Sequence, residues 1–196
     1  VAEAAETMGY EISALLKIGM PGENFDSVIN ALRQFPAETF SAALGLGANF
    51  LRQDLHTVVS VRNPNLRFPA IVHSTAWVSP TATLGDAVTL LSHSSLGAGS
   101  RLEVGALLQS GASLDHDSTI GPFGSIGPGA RTGGNVVIGD RTAIGLGASI
   151  LHGRAVGKDS VIGANSLVLE DIADFTVAFG SPVQVVRARV WNEPYY

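Results

Sequence analysis

Between Val72 and Val168 every sixth residue is aliphatic, with one exception. The column reads Val72, Val78, Leu84, Leu90, Leu96, Leu102, Leu108, Leu114, Ile120, Ile126, Thr132, Ile138, Ile144, Ile150, Val156, Ile162, Val168, and only Thr132 departs. Two positions before each stands a small or β-branched residue, such as Ala82, Val88, Ser100, Ala106, Ser118, Val136 and Thr142, with Arg154 alone breaking that second column. Two inward side chains separated by one outward residue is the alternation of a strand. A fixed repeat of six predicts a solenoid, here a parallel β-helix. The position after the aliphatic is often Gly (Gly85, Gly97, Gly121, Gly127, Gly133, Gly139, Gly145, Gly157, Gly163), read as the place where the backbone bends. Three hexads close one triangular coil, so the run holds between five and six coils. Residues 18 apart then stack at about 4.8 Å per coil if coils pair like strands.

The pattern ahead of the repeat is different. Val1–Met8 reads as a helix ended by Gly9. Tyr10–Leu16 reads as a strand, Ser27–Arg33 as a short helix, and Phe40–Leu44 as a buried strand. Gly45-Leu46-Gly47-Ala48-Asn49 is a Gly-rich turn into a helix over Phe50–Leu55, and Val58–Val61 and Ala70–Val72 read as extended. The alternation predicts a small α/β, Rossmann-like domain over 1–70 with a parallel sheet, suited to an acceptor substrate. The chain starts without Met, and its first helix lacks the strand and loop that should precede it, so this domain is expected to be truncated at its start. The β-helix is expected over 71–174. A cap and tail over 175–196 follow, made of a closing strand, a Gly-Ser-Pro turn and an amphipathic end.

Composition narrows the possible partners. Net charge is −5 without a basic stretch, so nucleic acid is not expected. There is no cysteine, which removes a disulfide framework, a thiolate zinc site and a cysteine acyl-enzyme. No apolar run is long enough to span a membrane, and nothing at the start resembles a signal peptide. A cytoplasmic protein with no membrane partner is the expectation.

Of the five histidines, His116 carries the chemical signal. It lies in Leu114-Asp115-His116-Asp117, two residues past an inward aliphatic, hence at an outward-facing corner between two carboxylates. A carboxylate orients an imidazole and favours its protonated form, which makes a stronger base. The stacking rule places Gly134 one coil above His116 and His152 one coil above that. A bare Gly beside a base leaves room for substrate, and its N–H is placed to face a developing oxyanion. His152 is expected about 9.6 Å away along the axis, beyond hydrogen-bond reach, either solvated or lining a groove.

Asp115-His116-Asp117-Ser118-Thr119-Ile120-Gly121, Pro128-Gly129-Ala130, Gly133-Gly134-Asn135-Val136, Ile138-Gly139 and Phe179-Gly180-Ser181-Pro182 resemble the hexapeptide-repeat acyltransferases. More narrowly, they resemble the sialic acid O-acetyltransferase and bacterial UDP-amino-sugar N-acetyltransferase group. The resemblance covers essentially the whole chain and implies a small α/β domain ahead of a left-handed β-helix. It further implies direct acetyl transfer from acetyl-CoA to an amine or hydroxyl of a sugar, nucleotide-sugar or sialic-acid-like acceptor, by a homotrimer with its site between two solenoids. On this reading His116 is the general base, Asp117 raises its basicity, and the Gly134 N–H meets the thioester oxygen. Ser125, Leu146 and Ala164 are the implied acetyl-CoA contacts, with Gly180, Pro182 and Arg187 near the nucleotide of CoA. Gly47 and Asn49 are the implied acceptor contacts. Two features depart from that group: its Gly-rich loop after the first strand is missing, and Lys17-Ile18 replaces its acidic pair.

Two other classes compete. A non-catalytic solenoid scaffold would keep the coil and lose the substrate domain. A zinc hydrase of the carbonic-anhydrase type would use histidines two coils apart, as His116 and His152 are, but needs a third ligand. Gly157 occupies its expected position, so no metal is expected.

Overall fold

The computed structural model describes residues 1–14, 25–35, 40–191 and 193–194. Two-residue strands recur every six residues from β1 (Ile71–Val72) to β17 (Leu167–Val168), each ending on a residue of the hydrophobic column. Strands three apart in sequence pair in parallel, so residues 18 apart are neighbours: Trp77 with Ser95, Ser95 with Ser113. The coil therefore has three sheets, one along each side. Its interior is the column itself. Leu90, Leu96, Leu102, Leu108, Leu114, Ile120, Ile126 and Ile138 have no exposed surface, each contributing roughly 1.5–3 kcal/mol by burial. The second column fills the rest, and its hydroxyls bind from coil to coil. The Ser118 N–H donates to Ser100 Oγ at 3.0 Å and the Val136 N–H to Ser118 Oγ at 3.0 Å.

The corners correct one expectation. The left-handed backbone lies not at the Gly after the aliphatic but two residues later, at every sixth residue from Ala87 to Asn165. The glycines after the aliphatic answer to close packing instead. A Cβ on Gly97 would lie 2.5 Å from His116 N, and one on Gly145 2.7 Å from Ala164 N. Successive coils touch at these points, and a side chain would force them apart.

Past Val168 the offset between paired residues shortens. Val156 bridges Ile172 and Val161 pairs with Val177, 16 residues on (156 to 172, 161 to 177). β18 (Thr176–Phe179) closes the first sheet, and the expected amphipathic tail is a further antiparallel strand, β19 (Gln184–Ala188).

Ahead of the coil, α1 (Ala2–Thr7) packs Ala4 and Ala5 on Ile71, with Gly9 at φ +85° just past its end. α2 (Asp26–Leu32) falls where a helix was expected. α3 (Asn49–Arg62) is longer than expected and absorbs Val58–Val61, which is helical rather than extended. Residues 40–44 form no strand among the described residues. Ser41 makes a single parallel bridge to Arg67. Part of Tyr10–Leu16, and Lys17-Ile18, lie outside the described residues. Val28, Ile29, Leu44, Leu55, Val59 and Phe68 pack in one cluster with Ala87 and Phe123 of the coil, which seats the front part on one corner.

Candidate active site

The site is a corner of the coil carried by Asp115-His116-Asp117, directly after β8 (Ser113–Leu114). Each backbone donor of the loop has a named acceptor. The Asp115 N–H donates to Thr132 Oγ1 at 3.1 Å, the His116 N–H to Asp115 Oδ1 at 2.7 Å, and the Asp117 N–H to Ala98 O at 2.8 Å. The His116 carbonyl accepts from Asn135 N–H at 2.9 Å and from Ser118 Oγ at 3.1 Å. Asp117 holds φ +54°, a left-handed corner that Asp tolerates. Glycines frame the loop. Gly97 leaves space for the His116 backbone, and a Cβ on Gly99 would lie 2.6 Å from Asp117 Oδ1. Above, the imidazole lies against Gly134, where any Cβ would overlap the ring.

His116 Nδ1 lies 2.9 Å from Asp117 Oδ2. With the Nδ1 proton donated to that carboxylate, Nε2 carries the lone pair and faces Gly134. The pKa of His116 is raised above the ordinary histidine value, chiefly by the Asp117 hydrogen bond. Partial desolvation opposes the rise, and the charges of Asp115 and Asp117 reinforce it. The Gly134 N–H donates to no group among the described residues. The corner thus presents a fixed base beside a backbone donor, the pair of groups that acyl transfer requires.

His152 does sit one coil above Gly134, but its ring centroid is 6.1 Å from that of His116. The His116 ring reaches up against Gly134 in the next coil, which brings the two rings closer than the axial spacing of their backbones. Among the described residues, no group of three or more His, Cys, Asp or Glu is arranged to hold a metal ion. His56 packs between Phe68 and Phe123, and burial lowers its pKa against the opposing charge of Asp86. A separate cleft opens beside it, lined by Tyr10, Ser41, Ser60, Arg67 and Asp86. It contains none of the residues around His116.

The remaining expected contacts fall in different settings. Leu146 and Ala164 are exposed at one corner of successive coils, with Leu146 O accepting the Asn165 N–H at 2.8 Å. Ser125 is buried within β10 (Ser125–Ile126), against Leu107 and Ala143. Gly180 and Pro182 are exposed in the turn between β18 and β19. Arg187 is held by Glu193 at 2.6 and 2.8 Å. Gly47 is exposed with open space beside its Cα. Asn49, the other expected acceptor contact, is turned into the joint with the coil. It is 1 % exposed, its Nδ2 donates to Arg141 O and Thr142 O at 3.1 Å, and its Oδ1 accepts from Arg52. It joins α3 to the coil because the first residue of that helix is turned inward.

Sequence reasoning passed over Gly97, Gly99 and Ser100. The stacking rule contained the signal for all three, since Gly97, Gly99 and Ser100 stand one coil below Asp115, Asp117 and Ser118.

No family model matches the chain, and no curated protein sequence does. Solved structures do. PerB from Caulobacter crescentus, in complex with CoA and GDP-perosamine, is 27% identical with a TM-score of 0.84, over 94% of this chain and 90% of that one. A histidine-to-alanine variant of GDP-perosamine N-acetyltransferase from the same organism is 28% identical with a TM-score of 0.77, over 83% and 75%. The acetyltransferase domain of PglB from Neisseria gonorrhoeae, with acetyl coenzyme A, is 25% identical with a TM-score of 0.80, over 94% and 93%. The coil matches the left-handed β-helix of such acetyltransferases. The likeness spans 94% of this chain, and on it the chain is similar to hexapeptide-repeat acetyltransferases that bind CoA or acetyl-CoA.

Proposed function

We propose that the protein transfers the acetyl group of acetyl-CoA to the amine of a nucleotide-linked amino sugar, with His116 as general base. The observation that carries this is the His116 Nδ1–Asp117 Oδ2 bond of 2.9 Å, which orients Nε2 over a glycine. The likeness to sugar N-acetyltransferases over 94% of the chain supports the acceptor class. In the reaction His116 Nε2 accepts a proton from the acceptor amine as its nitrogen attacks the thioester carbonyl. The Gly134 N–H stabilises the tetrahedral oxyanion. The C–S bond then breaks, the amide forms, and the proton passes from His116 to the departing CoA thiolate. Leu146 and Ala164 would flank the acetyl-CoA arm, Gly180 and Pro182 its nucleotide end, and Gly47 the acceptor. Ser125 and Arg187 would join them only after moving from their present partners. The reading includes a homotrimer, which sedimentation of the purified chain checks.

The test is thiol release from acetyl-CoA with GDP- and UDP-linked amino sugars, sialic acid and free sugars, comparing wild type with His116→Ala. Release should require a nucleotide-linked amino sugar and fall about 10²–10⁴-fold in the variant. Release with no acceptor in the panel, or equal release by both proteins, contradicts the proposal.

A further inference from the structure

We infer that Thr132 is a positioning residue for His116, an inference that rests on the reading of His116 as the base. Thr132 is the single polar member of the column that forms the core, and it is 9 % exposed. A hydroxyl among aliphatic side chains is unfavourable unless it is hydrogen-bonded. Thr132 Oγ1 accepts the Asp115 N–H, the donor that begins the catalytic loop.

This bond replaces a regular one. In the same sheet, the residue after each column member donates to the carbonyl of the column residue one coil above: Ser79 to Leu96 at 3.0 Å, Gly97 to Leu114 at 2.8 Å, Gly133 to Ile150 at 2.9 Å, Leu151 to Val168 at 2.9 Å. At Asp115 the acceptor is the side chain of Thr132, not its carbonyl. The ladder registers the change. β8 and β11 (Arg131–Thr132) pair only at Ser113–Arg131, whereas β5–β8 and β11–β14 keep both pairs. From Thr132 the restraint passes to His116 in short steps. Asp115 is anchored by its N–H on Thr132 and by its carbonyl on Ser100 Oγ at 2.6 Å, and its carboxylate takes the His116 N–H at 2.7 Å. Thr132 therefore lifts the loop off the regular rung and sets where the imidazole stands over Gly134.

A valine has nearly the shape of threonine and is what the column otherwise uses. With Val at 132 the Asp115 N–H has only the carbonyl to bind and returns to the rung seen at Gly97 and Gly133, taking His116 with it. The experiment compares Thr132→Val, Thr132→Ser and His116→Ala in kinetics and melting. Thr132→Val should melt no lower than wild type yet lose kcat about 10–100-fold, the scale of a misplacement near 1 Å, with KM for acetyl-CoA nearly unchanged. Thr132→Ser should recover most of kcat, because it restores the acceptor oxygen. Thr132→Ala deletes the hydroxyl without a new branch and stands in if the valine variant does not fold. Wild-type kcat in Thr132→Val, with His116→Ala inactive, overturns the inference while leaving the base intact. Should His116→Ala stay active, the underlying reading falls instead. A crystal structure of Thr132→Val then decides positioning alone, since an unmoved imidazole overturns it and a displaced one supports it.

Discussion

The proposed chemistry rests on His116 and Asp117, adjacent side chains joined by one hydrogen bond of 2.9 Å. Asp117 is the largest cause of the raised His116 pKa, and the bond lies at an exposed corner, so solvent screens but does not remove it. A general base works only when neutral, so the rate must fall as pH drops through the His116 pKa. Asp117→Asn removes the carboxylate, lets that pKa fall back, and should move the acid limb of the pH–rate profile to lower pH. The same change weakens the base and frees its tautomer, so the plateau kcat should drop about 10–100-fold. A pH profile of kcat/KM for the two proteins checks both, and an acid limb that stays in place would show that His116 is not the titrating group. Much of this corner was legible in the sequence, because a strict period turns numbering into neighbourhood: 116 and 134, 99 and 117. What the period does not encode is which atom of a neighbour is used. It marked Thr132 as a departure without indicating that its hydroxyl takes the Asp115 N–H. Asn49 lies outside the period, and the resemblance that offered it as an acceptor contact does not encode that its side chain turns into the joint with the coil.

At the level of elements, legibility follows repetition. Each hexad of the coil is checked by those above and below it, and every strand falls where the column put it. The front elements have no such repetition. Val58–Val61 has the β-branched content of a strand, but its place is decided by Leu55 and Val59, one helical turn apart and both buried, which extend the helix begun at Asn49. Asn63 ends it at φ −137° and ψ 71°, outside the helical region that the residue before Pro64 disfavours. The two kinds of element should also differ in their response to truncation. Leu108 has no exposed surface and a layer of the column on either side, whereas Val61 is 76 % exposed. Leu108→Ala should cost about 2–5 kcal/mol, against no more than about 0.5 kcal/mol for Val61→Ala. Denaturant melts of the two variants check this, and comparable losses would mean that the column is not the stabilising core.

For the whole molecule, the question is how a front part built from short helices is held to a coil that needs only its own neighbours. Arg52 makes much of that connection. It is 1 % exposed on α3. Its Nε donates to Gly105 O at 2.8 Å, Nη2 to Phe123 O at 2.9 Å and Asn49 Oδ1 at 3.0 Å, and Nη1 to Leu46 O and Gly47 O at 3.0 and 3.2 Å. One planar fork therefore ties two levels of a coil corner to the Gly-rich turn proposed to meet the acceptor. Gly105 makes room for the Phe123 ring, which a Cβ there would strike. Arg52→Met keeps most of the stem but strips donors from buried carbonyls, at roughly 1.5–3 kcal/mol for each charged hydrogen bond and less than the sum for all. Coil stacking is a nearest-neighbour matter and should survive. The expected result in limited proteolysis is faster cutting within residues 1–66 of the variant, leaving a resistant fragment that begins near the first coil. In kinetics, KM for the acceptor should rise while KM for acetyl-CoA holds, because Gly47 belongs to the loosened part and Leu146 and Ala164 do not. Equal cutting of both proteins would place the connection in the apolar cluster around Phe123 instead. Loss of the coil together with the front part would show that the two fold as one unit, and that the solenoid does not stand on stacking alone.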